Sequence, residues 1–269
     1  MNINYDLSKV ERARFSTMKH MIGHKNYGLV IDRQVFTDNW SHIQIVRNMV
    51  DNRLHYSRHG ITELCPMLLY EESGSSPVPN VSRELIEKFE EATALKFSMA
   101  LTEENDKFDV LDLFDYCYAI LNSSEYVGKY LEQLKIDFPR VPLPSGKEAF
   151  IHLAQAGAFL RELHLLELPV DNSLGIEFLG TGNNEVTRIS YRNNRLSINN
   201  CQYFTNISND LYEFCFAGYH GLKTWFKVRK GLRLSQEDIN HVIKVYNVFN
   251  MTAEFTPTID KILDEYNMI

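Results

Sequence analysis

The chain has 269 residues, 44% of them hydrophobic, and a formal net charge of −7. That length supports one large domain or two small ones with an ample core, in the composition of an ordinary soluble globular protein. No apolar run approaches a membrane span, no signal-peptide pattern opens the chain, and the net charge argues against a nucleic-acid binder working through bulk charge alone.

The charge is unevenly spread. Residues 1–60 carry nine Lys/Arg against five Asp/Glu, and residues 61–110 carry four against eleven. A basic first quarter beside an acidic segment suits a molecule with one DNA-facing side, and suits plain solvated faces as well. Residues 1–25 read as helical or irregular. Tyr27–Ile31, His42–Val46 and Cys65–Tyr70 are strand candidates, the second by its alternation of polar and apolar residues. Between the last two lies Arg47 to His59, rich in Arg, Asn, His and Ser, the side chains that read base edges or hold phosphates. Ser73–Asn80 is a loop. Ser82 to about Ala100 is an acidic helix, and Thr102–Asp109 a polar connector.

From Asp109 the period is helical. Val110, Leu113, Phe114, Cys117, Tyr118 and Leu121 share one face. Asn122-Ser123-Ser124 supplies a turn and an N-cap, and a second helix runs from Glu125 to about Leu134. Three prolines within Pro139–Pro144 then impose a rigid, extended backbone. Arg140, between two of them, is read as pairing with a carboxylate such as Asp137. Ser145–Glu148 has the form of a capping box opening a helix to about Leu166, with Phe150, Leu153, Gly157 and Leu160 inward. Ile176–Leu179, Val186–Tyr191 and Arg195–Asn199 form a small antiparallel meander, whose second turn presents Arg192, Asn193, Asn194 and Arg195 together. Gly218–Lys230 reads as a helix stopped by Gly231. Ser235–Asp238 caps another, which Thr256-Pro257 breaks before a last helix ending at Tyr266.

The blocks Tyr118-x-x-Leu121 to Pro144 ("LKIDFPRVPLP"), Tyr212–Phe214 with Leu222–Ser235 ("LKTWFKVRKGLRLS"), Leu196–Phe204 and Asn26–Val30 with Arg33 together resemble the C-terminal specificity domain of type ISP single-polypeptide restriction-modification enzymes and their type IIG relatives. The resemblance covers nearly the whole chain. It departs at Asn122–Val127, where the family often has His-Ser-Pro-Glu-Tyr-Arg, so a phosphate contact from that turn is not carried over.

The resemblance implies a DNA target-recognition domain with double-stranded DNA as partner, beside a methyltransferase domain or subunit that uses S-adenosylmethionine on adenine. No Asn-Pro-Pro-Tyr loop, no phosphate-binding G-x-x-x-x-G-K-S/T and no nuclease triad of acids and lysine stands in the sequence. The chain therefore reads as the specificity part alone, cut out or naturally separate, without catalytic residues, bound cofactor or metal of its own. The candidate DNA contacts are Arg33, Arg47, Asn52, Arg53, His55 and Arg58, the turn residues Arg192, Asn193, Asn194 and Arg195, and the basic block Lys223, Lys227, Arg229, Lys230 and Arg233. That block equally complements a helix C-terminus. The pairs His20/His24 and His55/His59 have metal-compatible spacing without further ligands, so surface or DNA contact is the better reading. Asp112, Asp115, Glu71 and Glu72 are read as solvated acids, and Cys65, Cys117, Cys201 and Cys215 as reduced, buried thiols of a cytoplasmic protein.

The expected fold is α+β, as one recognition domain. It has a basic, sheet-bearing half over 1–72, an acidic seam over 73–108, and a mainly helical half over 109–269 with the meander at 174–204. The alternative is a protein-interaction module docking through the acidic 84–109 segment and the helical half.

Overall fold

The computed structural model describes residues 15–51, 54–55, 61–71, 76–102, 104, 106–216 and 219–269. In chain order the elements are α1 (Phe15–Met18), β1 (Gly28–Asp32), β2 (Ile43–Val46), β3 (Thr62–Pro66), β4 (Leu68–Leu69), β5 (Val78–Pro79), α2 (Arg83–Thr93), β6 (Lys96–Phe97) and β7 (Lys107–Phe108). Then follow α3 (Val110–Leu121), α4 (Ser124–Ile136), α5 (Lys147–His164), β8 (Phe178–Leu179), β9 (Ser190–Arg192), β10 (Arg195–Ser197) and β11 (Tyr203–Phe204). The chain closes with α6 (Asn209–Glu213), β12 (Cys215–Phe216), β13 (Tyr219–His220), α7 (Gly221–Lys227) and α8 (Gln236–Glu265). This is the α+β arrangement that the patterning predicts. None of the helices is long and apolar enough to cross a membrane among the described residues.

Two apolar clusters organise the molecule. The first joins the antiparallel sheet β2-β1-β3, through Ile31, Ile43 and Ile45, to α2, α3, α5 and the C-terminal half of α8. The second gathers Ile176, Val186, Leu196, Phe204, Leu222 and Phe226 onto the N-terminal half of α8, at Ile239, Val242 and Tyr246. The 30-residue α8, about 45 Å long at 1.5 Å per residue, is thus a spine shared by both. At its middle the buried Asn247 accepts from the Leu174 N–H at 3.1 Å and donates to Asn172 Oδ1 at 3.1 Å, tying down the segment that leads out of α5.

α3 is central. Its expected apolar stripe is only part of its buried surface, because Tyr116, Ala119 and Ile120 on the opposite side are buried as well. An Asp109/Asp112 capping box starts it. α5 lies close against it: a Cβ on Gly157 would stand 1.8 Å from the Asp115 carbonyl oxygen, so only glycine permits this approach. The Tyr116 hydroxyl donates to the Pro142 carbonyl at 2.8 Å and the Tyr126 hydroxyl to the Arg140 carbonyl at 3.0 Å. The extended proline segment has few N–H groups of its own to pair, and these hydroxyls satisfy its carbonyls from the helices beneath.

Several expectations are corrected. Pro257 does not break the last helix; α8 runs through it. Beyond it Ile259 and Leu263 enter the first core, and Asp260 accepts from the Ser123 hydroxyl at 2.6 Å and from the Ser124 hydroxyl at the start of α4. These contacts offset the roughly 3 kcal/mol cost of an interior proline. α2 stops well before Ala100, because Ala94 adopts a left-handed φ of 58° and the chain turns into β6, which pairs in parallel with β7. α5 has no capping box: its N-cap is Gly146, with no side-chain bond. The helix expected from Gly218 begins instead at Gly221, behind the short hairpin β12–β13. The expected meander is a four-stranded antiparallel sheet ordered β8-β11-β10-β9, its first strand pairing with its last. Cys65, Cys201 and Cys215 are exposed rather than buried. Asp115 is not a solvated acid: it is buried against Arg161.

Candidate nucleic-acid interface

The basic side chains divide into those already neutralised by a carboxylate and those that are not. In the N-terminal half Arg33 Nε lies 3.1 Å from Asp137 Oδ1, with its guanidinium 5.9 Å from the Phe138 ring centroid. The Phe138 N–H and this Arg33 contact hold the Asp137 carboxyl below the usual range. Asp137 thus takes Arg33 as its ion-pair partner, where Arg140 was expected; Arg140 adds only its longer-range charge. Arg47 Nε lies 2.6 Å from Glu167, and its Nη2 donates to the Tyr27 hydroxyl at 2.8 Å. Tyr27 also receives the Arg161 guanidinium, 5.0 Å from its ring centroid.

His55 turns inward. It is buried, with Nδ1 3.0 Å from the buried Asp32 Oδ1, its backbone N–H on Thr62 Oγ1, and the His42 ring edge-on at 5.7 Å. Its side chain is therefore part of the core and not of a base-reading surface. Asn52, Arg53, Arg58 and His59 lie outside the described residues. His20 Nδ1 accepts the Tyr70 N–H at 2.9 Å and His24 stacks on the Tyr70 ring at 3.7 Å, so this histidine pair serves one local structural join.

The second basic block divides in the same way. Lys223 Nζ reaches both oxygens of Glu213 at 2.8 Å and sits 4.1 Å from the Tyr212 ring centroid. Its hydrogen bond holds the Glu213 carboxyl down. Arg229 stacks on Trp225 at 3.6 Å and lies 3.5 Å from Asp238. Lys227, Lys230 and Arg233 are exposed, and their side chains form no ion pair among the described residues. Backbone pairing fixes the 231–233 stretch: the Val186 N–H donates to Leu232 O, the Gly231 N–H to Val186 O, and Arg233 lies opposite Glu185 in an isolated antiparallel backbone bridge. The 229–233 loop therefore borders the segment that leads into β9.

At the far end of that segment is the β9–β10 hairpin. Asn193 and Asn194 both have positive φ, 52° and 57°, as a two-residue hairpin turn of the twist-matching kind requires. Arg192 pairs with Arg195, Tyr191 with Leu196 and Ser190 with Ser197. On the other side Leu196 pairs with Phe204, Ser197 with Tyr203, and Tyr203 with Leu179. Side chains alternate between faces, so Tyr191, Leu196 and Phe204 face the second core. Arg192, Arg195, Ser190, Ser197 and Tyr203 share the outer face. The turn is braced from behind: the Tyr191 hydroxyl donates to Ile207 O at 3.0 Å, and the Ile207 N–H donates to Asn194 O at 3.1 Å. Arg195 lies over the Tyr203 ring, 4.8 Å from its centroid. Arg192, Asn193, Arg195 and Ser197 line an open depression of about 410 Å³.

Of the predicted residues, then, the structure brings together Arg192, Asn193, Asn194 and Arg195. It places Arg233 beside the segment that leads to them, with exposed Lys227 and Lys230 a few residues earlier in the chain, and ties Arg33, Arg47, Lys223 and Arg229 to carboxylates. Sequence reasoning missed Ser190, Ser197 and Tyr203. Alternation outward from the Asn-Asn turn would have found the two serines, but Tyr203 joins the face only through the β10–β11 register. Among the described residues no group of three or more His, Cys, Asp or Glu is placed to hold a metal ion.

The family described as the Type ISP C-terminal specificity domain matches residues 2–257. A nuclease-deletion mutant of the Type ISP restriction-modification enzyme LlaGI, solved in complex with a DNA substrate mimic, is 18% identical with a TM-score of 0.61, over 91% of this chain and 18% of its own. The ATP-dependent Type ISP restriction-modification enzyme LlaBIII, bound to DNA, is 17% identical with a TM-score of 0.63, over 95% of this chain and 17% of its own. DrdV, in a cryo-EM complex with DNA, is 15% identical with a TM-score of 0.67, over 91% of this chain and 25% of its own. At these identities the likeness is one of fold, and this chain spans a quarter or less of each of those chains. No curated protein matches it.

Proposed function

The chain belongs to the family of Type ISP C-terminal specificity domains, and from that premise we propose that it recognises a specific sequence in double-stranded DNA for a restriction-modification enzyme. In this reading it performs no chemistry itself. It holds the duplex for a methyltransferase domain or subunit that flips and methylates an adenine. The methyl donor, S-adenosylmethionine, belongs to that partner, and no residue of this chain is assigned to it.

The observation that carries the reading is the division of cations. Arginines paired with carboxylates already have their counter-charge. The exposed Arg192, Arg195, Lys227, Lys230 and Arg233 do not, and they stand on one sheet, at the end of α7 and on the loop that follows it. The span from Val186 to Arg192 is at most roughly 20 Å at strand rise, long enough to follow several base pairs at 3.4 Å each. In this chain of net charge −7, a local concentration of unneutralised cations is where a polyanion binds.

The test is selection of bound duplexes from a random-sequence pool by the 269-residue chain, at low and then moderate salt. A short motif that survives the salt step is the expected result. No binding even at low salt overturns the reading and favours a protein-interaction module. S-adenosylmethionine-dependent methyl transfer by the purified chain would overturn the assignment of catalysis to a partner.

A further inference from the structure

The two arginines flanking the hairpin turn are not equivalent. Arg192 lies on β9, the edge strand, and no ring or acid holds its side chain among the described residues. Arg195 lies on β10, which pairs on both sides, and its guanidinium rests on the Tyr203 ring from the neighbouring β11. Ser197 shares its face, and Glu177, on the far side of β11, forms no ion pair with it. An exposed arginine normally samples many rotamers, and fixing it on contact costs affinity. Stacking on an aromatic face restricts those rotamers while leaving the planar donor fork free.

Resting on the DNA-recognition reading above, we propose that Arg195 reads a guanine edge in the major groove, with Tyr203 as its positioning residue, while Arg192 grips phosphate and carries no sequence information. A fork held in one plane matches the O6 and N7 acceptors of guanine, a contact that fails with every other base at that place in the groove. An unbraced arginine at an edge strand suits a phosphate, which accepts from many directions and discriminates nothing. The rigid backbone behind the turn, with Asn194 O on the Ile207 N–H and both turn residues at positive φ, gives the fork a fixed origin from which to read.

The experiment repeats the duplex selection with Arg195→Ala, Arg195→Lys, Tyr203→Leu, Tyr203→Phe and Arg192→Ala, each checked for an unchanged thermal transition. The wild-type motif is expected to contain a guanine whose preference, roughly 5- to 150-fold over other bases, disappears in Arg195→Ala. Arg195→Lys keeps the charge and the salt dependence but loses the same preference, because an ammonium has no fork. Tyr203→Leu weakens the preference and Tyr203→Phe restores it. Arg192→Ala lowers affinity for all sequences alike and reduces the slope of log K against log salt by about 0.9. A wild-type motif that persists unchanged in Arg195→Ala, or one without guanine, overturns this inference and leaves the recognition reading standing. A wild-type chain that binds no DNA overturns both.

Discussion

Arg161 holds Asp115 across the α3–α5 interface by two hydrogen bonds, Nε to Oδ1 at 2.8 Å and Nη2 to Oδ2 at 3.1 Å, with both side chains buried. The guanidinium also donates from Nη1 to the Tyr27 hydroxyl at 3.3 Å, so the pair links both central helices to the start of β1. Truncating one partner strands the other charge in the core. Asp115→Ala and Arg161→Ala should each cost about 3–5 kcal/mol in urea denaturation, whereas the double variant Asp115→Leu/Arg161→Leu should recover most of that loss. Additive single costs in the double variant would show that the pair does not act as a unit.

The closeness of the same two helices depends on Gly157. An alanine there meets the Asp115 backbone oxygen, which no side-chain rotation can relieve. Gly157→Ala should destabilise by about 1–3 kcal/mol or more. Gly128, on the exposed side of α4 with open space around it, makes the control: Gly128→Ala should be neutral or stabilise by up to about 1 kcal/mol. Thermal melts of the two variants should move in opposite directions or not at all for the second; equal losses would refute the close-approach argument.

Two buried groups give opposing pH dependences. Burial pushes His164 down to about 4. Its ring sits between the Tyr118 hydroxyl, 2.6 Å from Nδ1, and Thr252 Oγ1, 2.9 Å from Nε2. The Thr252 hydroxyl itself donates to Val248 O. Nε2 therefore carries the proton and Nδ1 accepts, a neutral ring satisfied at both ends. The unfolded chain takes up this proton first, so stability is lost as pH falls from about 6.5 towards 4. Burial, against the pull of Arg161, pushes Asp115 up to about 6. There the folded chain takes up the proton first, so stability is gained as pH falls from about 6 towards 4. Each effect is on the order of 3 kcal/mol at full extent. Relative to wild type, His164→Gln should remove the loss and Asp115→Asn the gain, in urea titrations at pH 7 and pH 4. Parallel pH profiles for wild type and both variants would contradict the assignment.

The division of cations predicts which charges salt will report. Gln substitutions at Lys227, Lys230 and Arg233 should each lower the slope of log K against log salt by about 0.9 per lost phosphate contact. Gln substitutions at Lys223, Arg229 and Arg33, whose charges already face Glu213, Asp238 and Asp137, should leave the slope nearly unchanged. Fluorescence anisotropy on one selected duplex at several salt concentrations measures both sets. Equal slopes across the six variants would sink the division.

The caps at Ser123 and Ser235 and the Asn193-Asn194 turn were legible in the amino-acid order because they depend on residues near one another in the chain; the fold class was legible from patterning, and the family from blocks spread along nearly all of it. Propensity, capping chemistry and period-2 or period-3.6 patterning act over a few residues, so they can be read without a partner. Folding in three dimensions was needed to show that Arg33 faces Asp137 across more than a hundred residues, that Arg47 faces Glu167, and that His55 folds inward onto Asp32. A charged side chain looks the same in sequence whether its counter-ion is a carboxylate of this chain or a phosphate of another molecule. The same holds for Pro257, whose local preference to end a helix is overruled by the burial of Ile259 and Leu263 and by Asp260 on the start of α4. Burial of large apolar side chains contributes several kcal/mol against local preferences of about one to three, and the long-range ion pairs, each worth about 1 kcal/mol or less where they are exposed, divide the candidate arginines into those with a carboxylate beside them and those without.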